Sequence, residues 1–260
     1  MQNCYFPTVA RKQDEDLAQL QEAIEQLRTK HQRLDGARKS LDELRPAFLK
    51  LNVVHGAAGS AYVELGRTRV VCSVYGPRND SRSRKEFSNE GQLVCDFKYA
   101  PFADAQGRRE RGQDADELEL SSILTQALSP AVMLHKLPKC VVSIYVVVLE
   151  NDGGELAAAL TAASLALMDA AVEMYDMVTA ATAGIVQGCV VLDPCHEEAI
   201  RGDGHVTLAY MPQRSQVTYM LQSGKIEHTD LQEAVDLCTD ACTGIMQRMT
   251  TAALMQAIRE

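Results

Sequence analysis

The sequence predicts an α+β domain in which helices pack on mixed sheets. Three observations predict it. Short alternating or β-branched runs crowd between Ser60 and Phe97 and return after Ala183. Two helical segments, Glu117–Val132 and Glu155–Ala171, interrupt them, and a third closes the chain. The order of these segments lacks the regular βα alternation of a parallel, doubly wound sheet.

Residues 14–34 are polar, with Leu17, Leu20, Ile24, Leu27 and Leu34 at helical spacing. One apolar stripe predicts an amphipathic helical extension over residues 1–34, lying on the domain or on a neighbouring subunit. His31 interrupts the seam a coiled coil would need. Residues 35–260 read as one domain. Ser60–Leu65 alternates, Gly66 turns the chain, and Val70–Tyr75 returns as far as Gly76-Pro77, which predicts a hairpin. Residues 78–91 form a charged loop, Gln92–Phe97 a strand, and Pro101–Gln113 a loop rich in Arg, Gly and Asp. Glu117–Val132 is an amphipathic helix that Asp114 or Asp116 would cap. Cys140–Leu149 is almost continuously β-branched, which predicts a strand buried on both faces. Glu155–Ala171 is apolar nearly all round and predicts a central, buried helix. Ala183–Asp193 is a strand broken at Gly188, and His205–Tyr210 pairs with Gln216–Leu221. Thr229-Asp-Leu-Gln232 has a capping-box pattern and opens the last helix, with Leu231, Val235, Cys238, Cys242, Ile245, Met246 and Met249 on one face.

Composition narrows the class. With 260 residues, 46% hydrophobic and 23% charged, the chain can bury a large core. No apolar run is long enough to span a bilayer, and Met1–Ala10 lacks the pattern of a secretory signal, so a soluble, intracellular protein is expected. None of the eight cysteines forms a CxxC pair. Cys72, Cys95, Cys140 and Cys189 sit in apolar, β-rich runs, and Cys238 and Cys242 lie one helical turn apart without a nearby histidine. Reduced core thiols are expected, with no metal and no cofactor. Residues 112–260 carry 7 Lys and Arg against 20 Asp and Glu, so they hold the acidity behind the net charge of −9. A free-standing nucleic-acid binder normally has a basic domain, and this chain lacks one.

The most telling stretch is Asp152-Gly153-Gly154-Glu155-Leu156, between an apolar strand and an Ala-rich helix. A glycine turn leading into a helix presents free N–H groups and a positive dipole end, which is the architecture of an anion seat. An Arg or a hydroxyl would suit that place, but Glu155 and Leu156 stand there.

Several ordered blocks resemble the RNase PH family. They are Arg33-Leu-Asp-Gly36 with Leu41–Pro46, Gly59–Gly66 with Thr68–Pro77, and Asp152-Gly-Gly154 with Ala159–Ala170. Val191-Leu-Asp-Pro194 and Leu208–Pro212 complete them. The resemblance implies a two-layer fold of mixed β-sheets packed with helices, assembled into six-membered rings. It implies phosphorolytic exoribonuclease chemistry in active members, where phosphate attacks the 3′-terminal linkage of RNA and releases a nucleoside diphosphate. In active members Thr-Arg-Thr follows the double glycine; here Glu155, Leu156 and Ala157 do. Their two acids, at steps of six beyond the Asp of the Leu-Asp pair, become Ala199 and His205, with Asp203 two residues off register. Their Arg pair before the first helix becomes Ala115 and Asp116.

With three requirements missing together, the expectation is a protein that is not an enzyme. It would be a non-catalytic ring subunit of the eukaryotic RNA exosome, which Leu93–Lys98, Ala100–Ala103 and Val172–Asp176 also resemble. The alternative is an active phosphorolytic 3′-to-5′ exoribonuclease subunit; a free RNA-binding protein is a third reading, which the acidity disfavours. Expected partners are other RNase PH-like ring subunits, RNA-binding cap subunits and RNA. The implied location is the nucleus and nucleolus, and also the cytoplasm. Arg108, Arg109 and Arg111, between Gly107 and Gly112, are the candidate RNA contacts. Arg78, Arg82, Arg84 and Lys85 read as an exposed loop or subunit contact, His205 as an ordinary strand histidine, and Asp152 as the residue that ends its strand and shapes the turn.

Overall fold

The computed structural model describes Arg33, Arg38 and residues 40–79, 90–103, 115–186 and 188–257. Contacts group residues 1–43 and 44–260 as two units. Within the first, Arg33 Nη1 donates to the Leu41 carbonyl at 2.9 Å, and Arg38 Nη1 donates to the Glu43 carbonyl at 3.1 Å. Apart from Arg33, the expected helix over 14–34 lies outside the described residues.

The second unit holds two sheets. β1 (Ala47–Leu51), β2 (Gly59–Leu65), β3 (Thr68–Asn79), β4 (Gln92–Tyr99) and β5 (Cys140–Glu150) form one, in the order β1-β2-β3-β5-β4. β4 and β5 run parallel, and the other neighbours run antiparallel. β6 (Thr179–Val186), β7 (Cys189–Leu192), β8 (Gly204–Met211) and β9 (Gln216–Gly224) form an antiparallel sheet ordered β7-β6-β8-β9. The helices are α1 (Ala115–Leu128), α2 (Glu155–Asp169), α3 (His196–Arg201) and α4 (His228–Ala257). This mixed α+β architecture of two sheets and four helices is the class that the sequence predicts.

α2 sits at the centre. Every residue from Leu156 to Leu167 is buried. The helix packs on β2 and β3 of the first sheet and on β6 and β8 of the second. Its composition makes that possible, because alanines on several sides let backbone approach backbone. A Cβ on Gly59, at the start of β2, would lie 2.2 Å from the Ala170 amide nitrogen and 2.4 Å from the Ala166 carbonyl oxygen. α1 packs on β4 and β9, and α4 on β6, β7 and β8.

Several expectations are corrected. β5 is not buried on both faces. Val142, Ile144, Val146 and Val148 face the core, while Tyr145 and Val147 are 40% and 36% exposed. Its β-branched run reflects strand propensity and cross-strand contact on the outer face. Tyr145 there meets Tyr75 of β3 edge-on at 5.7 Å. The break at Gly188 makes a hairpin of β6 and β7 instead of one interrupted strand. The last helix starts at His228, so Thr229 lies inside it and does not cap it. The helix expected over Glu117–Val132 is α1, which starts at Ala115, so Asp116 lies in its first turn; Asp114 is outside the described residues. The sequence predicts neither β1 nor α3, a five-residue edge strand and a six-residue helix.

Cys72, Cys95, Cys189, Cys238 and Cys242 are free and buried, as the sequence predicts, whereas Cys140 is half-buried. Burial pushes Cys72 and Cys238 well up, Cys95 up to about 11 and Cys242 up to about 12. Unfolded thiols ionise from about pH 8.5. The stability that these neutral thiols contribute is therefore full below that pH and is lost as pH rises through the folded values. Denaturation midpoints measured from pH 8 upward are expected to fall. Alkylation mapped by mass spectrometry at pH 8 should spare these four positions until the chain unfolds.

Candidate active site at the amino end of the buried helix

The turn before α2 is built from left-handed backbone. Gly153 has φ +87° and Gly154 has φ +66°. A Cβ on Gly153 would meet the Pro194 carbonyl oxygen at 2.8 Å, so both conformation and space require glycine there. Gly154 is the N-cap residue of α2 and has no side chain to satisfy the first-turn N–H groups. Those groups border a cavity of about 370 Å³. Asn151 enters it from the end of β5, His196 from the start of α3, and His205 and Thr207 from β8. Leu120, Glu155, Leu156, Thr182, Pro194, Ala199 and Leu221 complete the wall with the two glycines.

The fold brings several of the counted positions together. Glu155, Leu156, Ala199 and His205, which replace the family's anion-binding and acidic groups, line one cavity. Asp203 is not in its lining, and neither is Asp152, whose carbonyl is bound by the Arg45 guanidinium and the His196 amide. Ala115 and Asp116 are exposed on the first turn of α1 and lie outside the lining. Among the described residues, no Lys or Arg lines the cavity. Glu155 favours the helix dipole as the first residue of α2, and its Oε1 accepts from the Tyr99 hydroxyl at 3.4 Å. The same carboxylate opposes an anion.

Sequence reasoning does not find Asn151, His196 or Thr207, because three separate elements supply them with no local spacing to mark them. A second cavity, about 530 Å³, meets the first at Asn151. Tyr62, Arg67, Arg69, Phe102 and Glu150 are among its lining. Arg69 Nη1 pairs with Glu150 at 3.1 Å. Arg67 is exposed and has no ion-pair partner among the described residues, and Phe102 is 71% exposed. Arg108, Arg109 and Arg111 lie outside the described residues, as do Arg82, Arg84 and Lys85; Arg78 lies over the Tyr75 ring at 5.4 Å. Among the described residues, no group of three or more His, Cys, Asp or Glu is placed to hold a metal ion, and no helix is long and apolar enough to cross a membrane.

The two sheets, the buried helix and the cavity at its glycine turn define an RNase PH-type protein. The chain belongs to the 3′ exoribonuclease family: residues 43–173 match its domain 1 and residues 176–241 its domain 2. It is 36% identical to "Exosome complex component RRP41-like" of Arabidopsis thaliana, over 81% of this chain and 80% of that protein. It is 37% identical to exosome complex component Rrp41 of Methanopyrus kandleri, over 81% and 87%. Among solved structures, it resembles a chain of the Archaeoglobus fulgidus exosome with RNA bound to the active site, with TM-score 0.73 and 25% identity, covering 92% of this chain and 98% of that one. Rice Rrp46 has the same fold, with TM-score 0.73 and 24% identity, covering 84% and 99%.

These relatives correct the expectation that the chain is not an enzyme. It falls in an exoribonuclease family, and its relatives at 36–37% identity over four fifths of the chain are Rrp41 components. Three missing side-chain groups do not amount to a missing site. A cavity is present there, and beside His205 it carries an amide, a second imidazole and hydroxyls from Asn151, His196, Thr182 and Thr207, which the counted positions leave out.

Proposed function

We propose that the chain is an exosome core subunit of the Rrp41 and Rrp46 kind, in a ring with other RNase PH-like subunits and RNA-binding cap subunits. In this reading it takes part in phosphorolytic removal of nucleotides from the 3′ end of RNA. The observation that carries the reading is the cavity at the amino end of α2, in a chain that resembles, over nearly its full length, a chain of an exosome with RNA bound to the active site. An oxygen of inorganic phosphate attacks the terminal phosphorus. The bond to the 3′ oxygen of the preceding nucleotide breaks, and that oxygen takes a proton. The first-turn N–H groups of α2 and Asn151 suit the phosphate. His196 and His205 are the proton carriers at hand, since imidazole is suited to that task near neutrality. The adjoining cavity, with Arg67 and Phe102, suits the preceding part of the strand.

The test is a reconstituted assembly given RNA and phosphate, with nucleoside diphosphate measured. Phosphate-dependent release that falls with His205→Ala and His196→Ala is expected. No release, or release unchanged by both substitutions, would overturn the reading. Glu155→Gln removes a negative charge at the anion's place and is expected to lower the half-saturating phosphate concentration about ten-fold. It should cost the helix about 0.5 kcal/mol. Arg67→Ala should weaken RNA binding and reduce the slope of log affinity against log salt by about 1. The reading also carries the expected nuclear, nucleolar and cytoplasmic location, which a fluorescent fusion checks.

A further inference from the structure

Arg45 does not line the cavity, yet its guanidinium organises the turn that does. Nε and Nη2 hold the Asp193 carboxylate at 2.9 and 2.6 Å, and the Arg45 backbone N–H adds a third bond to it at 3.1 Å. Nη1 donates to the Asp152 carbonyl at 3.0 Å and to Thr68 Oγ1 at 3.3 Å, and Nη2 donates to the Gly153 carbonyl at 2.9 Å. All five guanidinium donors are used. Thr68 reinforces the arrangement: its hydroxyl donates to the Gly153 carbonyl at 2.8 Å and accepts from the Asp152 N–H at 3.1 Å.

Two of these bonds bear on the site. An anion at a helix amino end needs N–H groups pointing toward it and carbonyl oxygens pointing away. The carbonyls of Asp152 and Gly153 immediately precede α2, and Arg45 holds both of them. Gly154 lies against the guanidinium, since a Cβ there would be 3.0 Å from Nη2 and 3.3 Å from Asp193 Oδ1. The Asp152 carbonyl also accepts from the His196 N–H at 3.0 Å, which ties the α3 side of the cavity to the same turn. We propose that Arg45, fixed by Asp193, is a positioning residue that orients the first N–H groups of α2 toward the anion. The inference rests on the phosphorolytic reading for its ligand and on the local geometry for everything else.

The experiment compares Arg45→Lys, Arg45→Met and the double variant Arg45→Met/Asp193→Leu with the parent chain in the reconstituted assembly. The double variant removes both buried charges, so it can fold where Arg45→Met fails. Its half-saturating phosphate concentration is expected to rise at least ten-fold, with the saturating rate changed less. Lysine, a single point charge, cannot hold a carboxylate and two carbonyls at once, so Arg45→Lys should fall between parent and double variant. Amide hydrogen exchange gives a readout independent of activity. Exchange in residues 152–157 should speed up at least ten-fold in the double variant, while that in β3 and β5 stays unchanged. A double variant with parental exchange and parental phosphate dependence would reduce the clamp to a structural pair and overturn the proposal. If the parent assembly shows no phosphorolysis, the function reading fails and the exchange result still decides the positioning.

Discussion

Arg45→Met alone is expected to destabilise the chain by about 3–5 kcal/mol, because it strands the Asp193 carboxylate without its partner in the interior. The two side chains are 5% and 7% exposed. Burial by itself would lower the Arg45 pKa, but the hydrogen bond and attraction to Asp193 outweigh burial and hold the guanidinium above its ordinary range. Removing one partner forfeits that compensation while keeping the cost of burying the other. Removing both is a different experiment. The double variant Arg45→Met/Asp193→Leu should recover part of the loss, since no buried charge remains, while the Arg45 N–H and the Asp152 and Gly153 carbonyls lose partners and leucine must take the left-handed φ of 52° at position 193. Denaturant unfolding of the four chains forms a double-mutant cycle. Additive losses across the cycle would show that the pair is not coupled.

Gly59→Ala is expected to cost about 3 kcal/mol, the upper end of what overpacking costs. Gly59 opens β2 directly over the last turn of α2, and the atoms its Cβ would strike are backbone atoms of Ala166 and Ala170. Backbone inside a packed core cannot rotate away as a side-chain end can. For a chain of this size the melting temperature should fall by roughly 6–12 °C. Gly244→Ala in α4 is the contrasting case. Nothing lies within 4 Å of its Cβ position, so there the substitution should stabilise by about 0.5–1 kcal/mol through helix propensity alone. Thermal scans of the two variants should shift in opposite directions.

Much of the fold is legible where one period dominates. The β2–β3 hairpin follows from alternation around Gly66, and α2 follows from a run too apolar to lie anywhere but inside. The outer face of β5 is not legible, because valine and isoleucine serve an exposed strand face as well as a buried one. The capping-box pattern at Thr229 misplaces the start of α4, which lies at His228. At the site, register counting brings Glu155, Ala199 and His205 to one place, because those positions are counted along single segments of the family pattern. It misses Asn151, His196 and Thr207, which converge only after folding. The Arg45–Asp193 pair spans 148 residues, and nothing in either local sequence announces the other.

The central helix has a consequence for how a ligand meets this protein. Its amino end is the tip of a rod gripped along its length by two sheets, with alanine contacts too short to slide. Such a tip cannot swing, tilt or retract to suit a guest. Selectivity at this cavity must then come from which side chains stand on the rim, and a change of guest requires a change of residue. A ligand arriving here meets a wall with fixed fittings, and a neighbouring subunit can alter the reception only by adding fittings of its own.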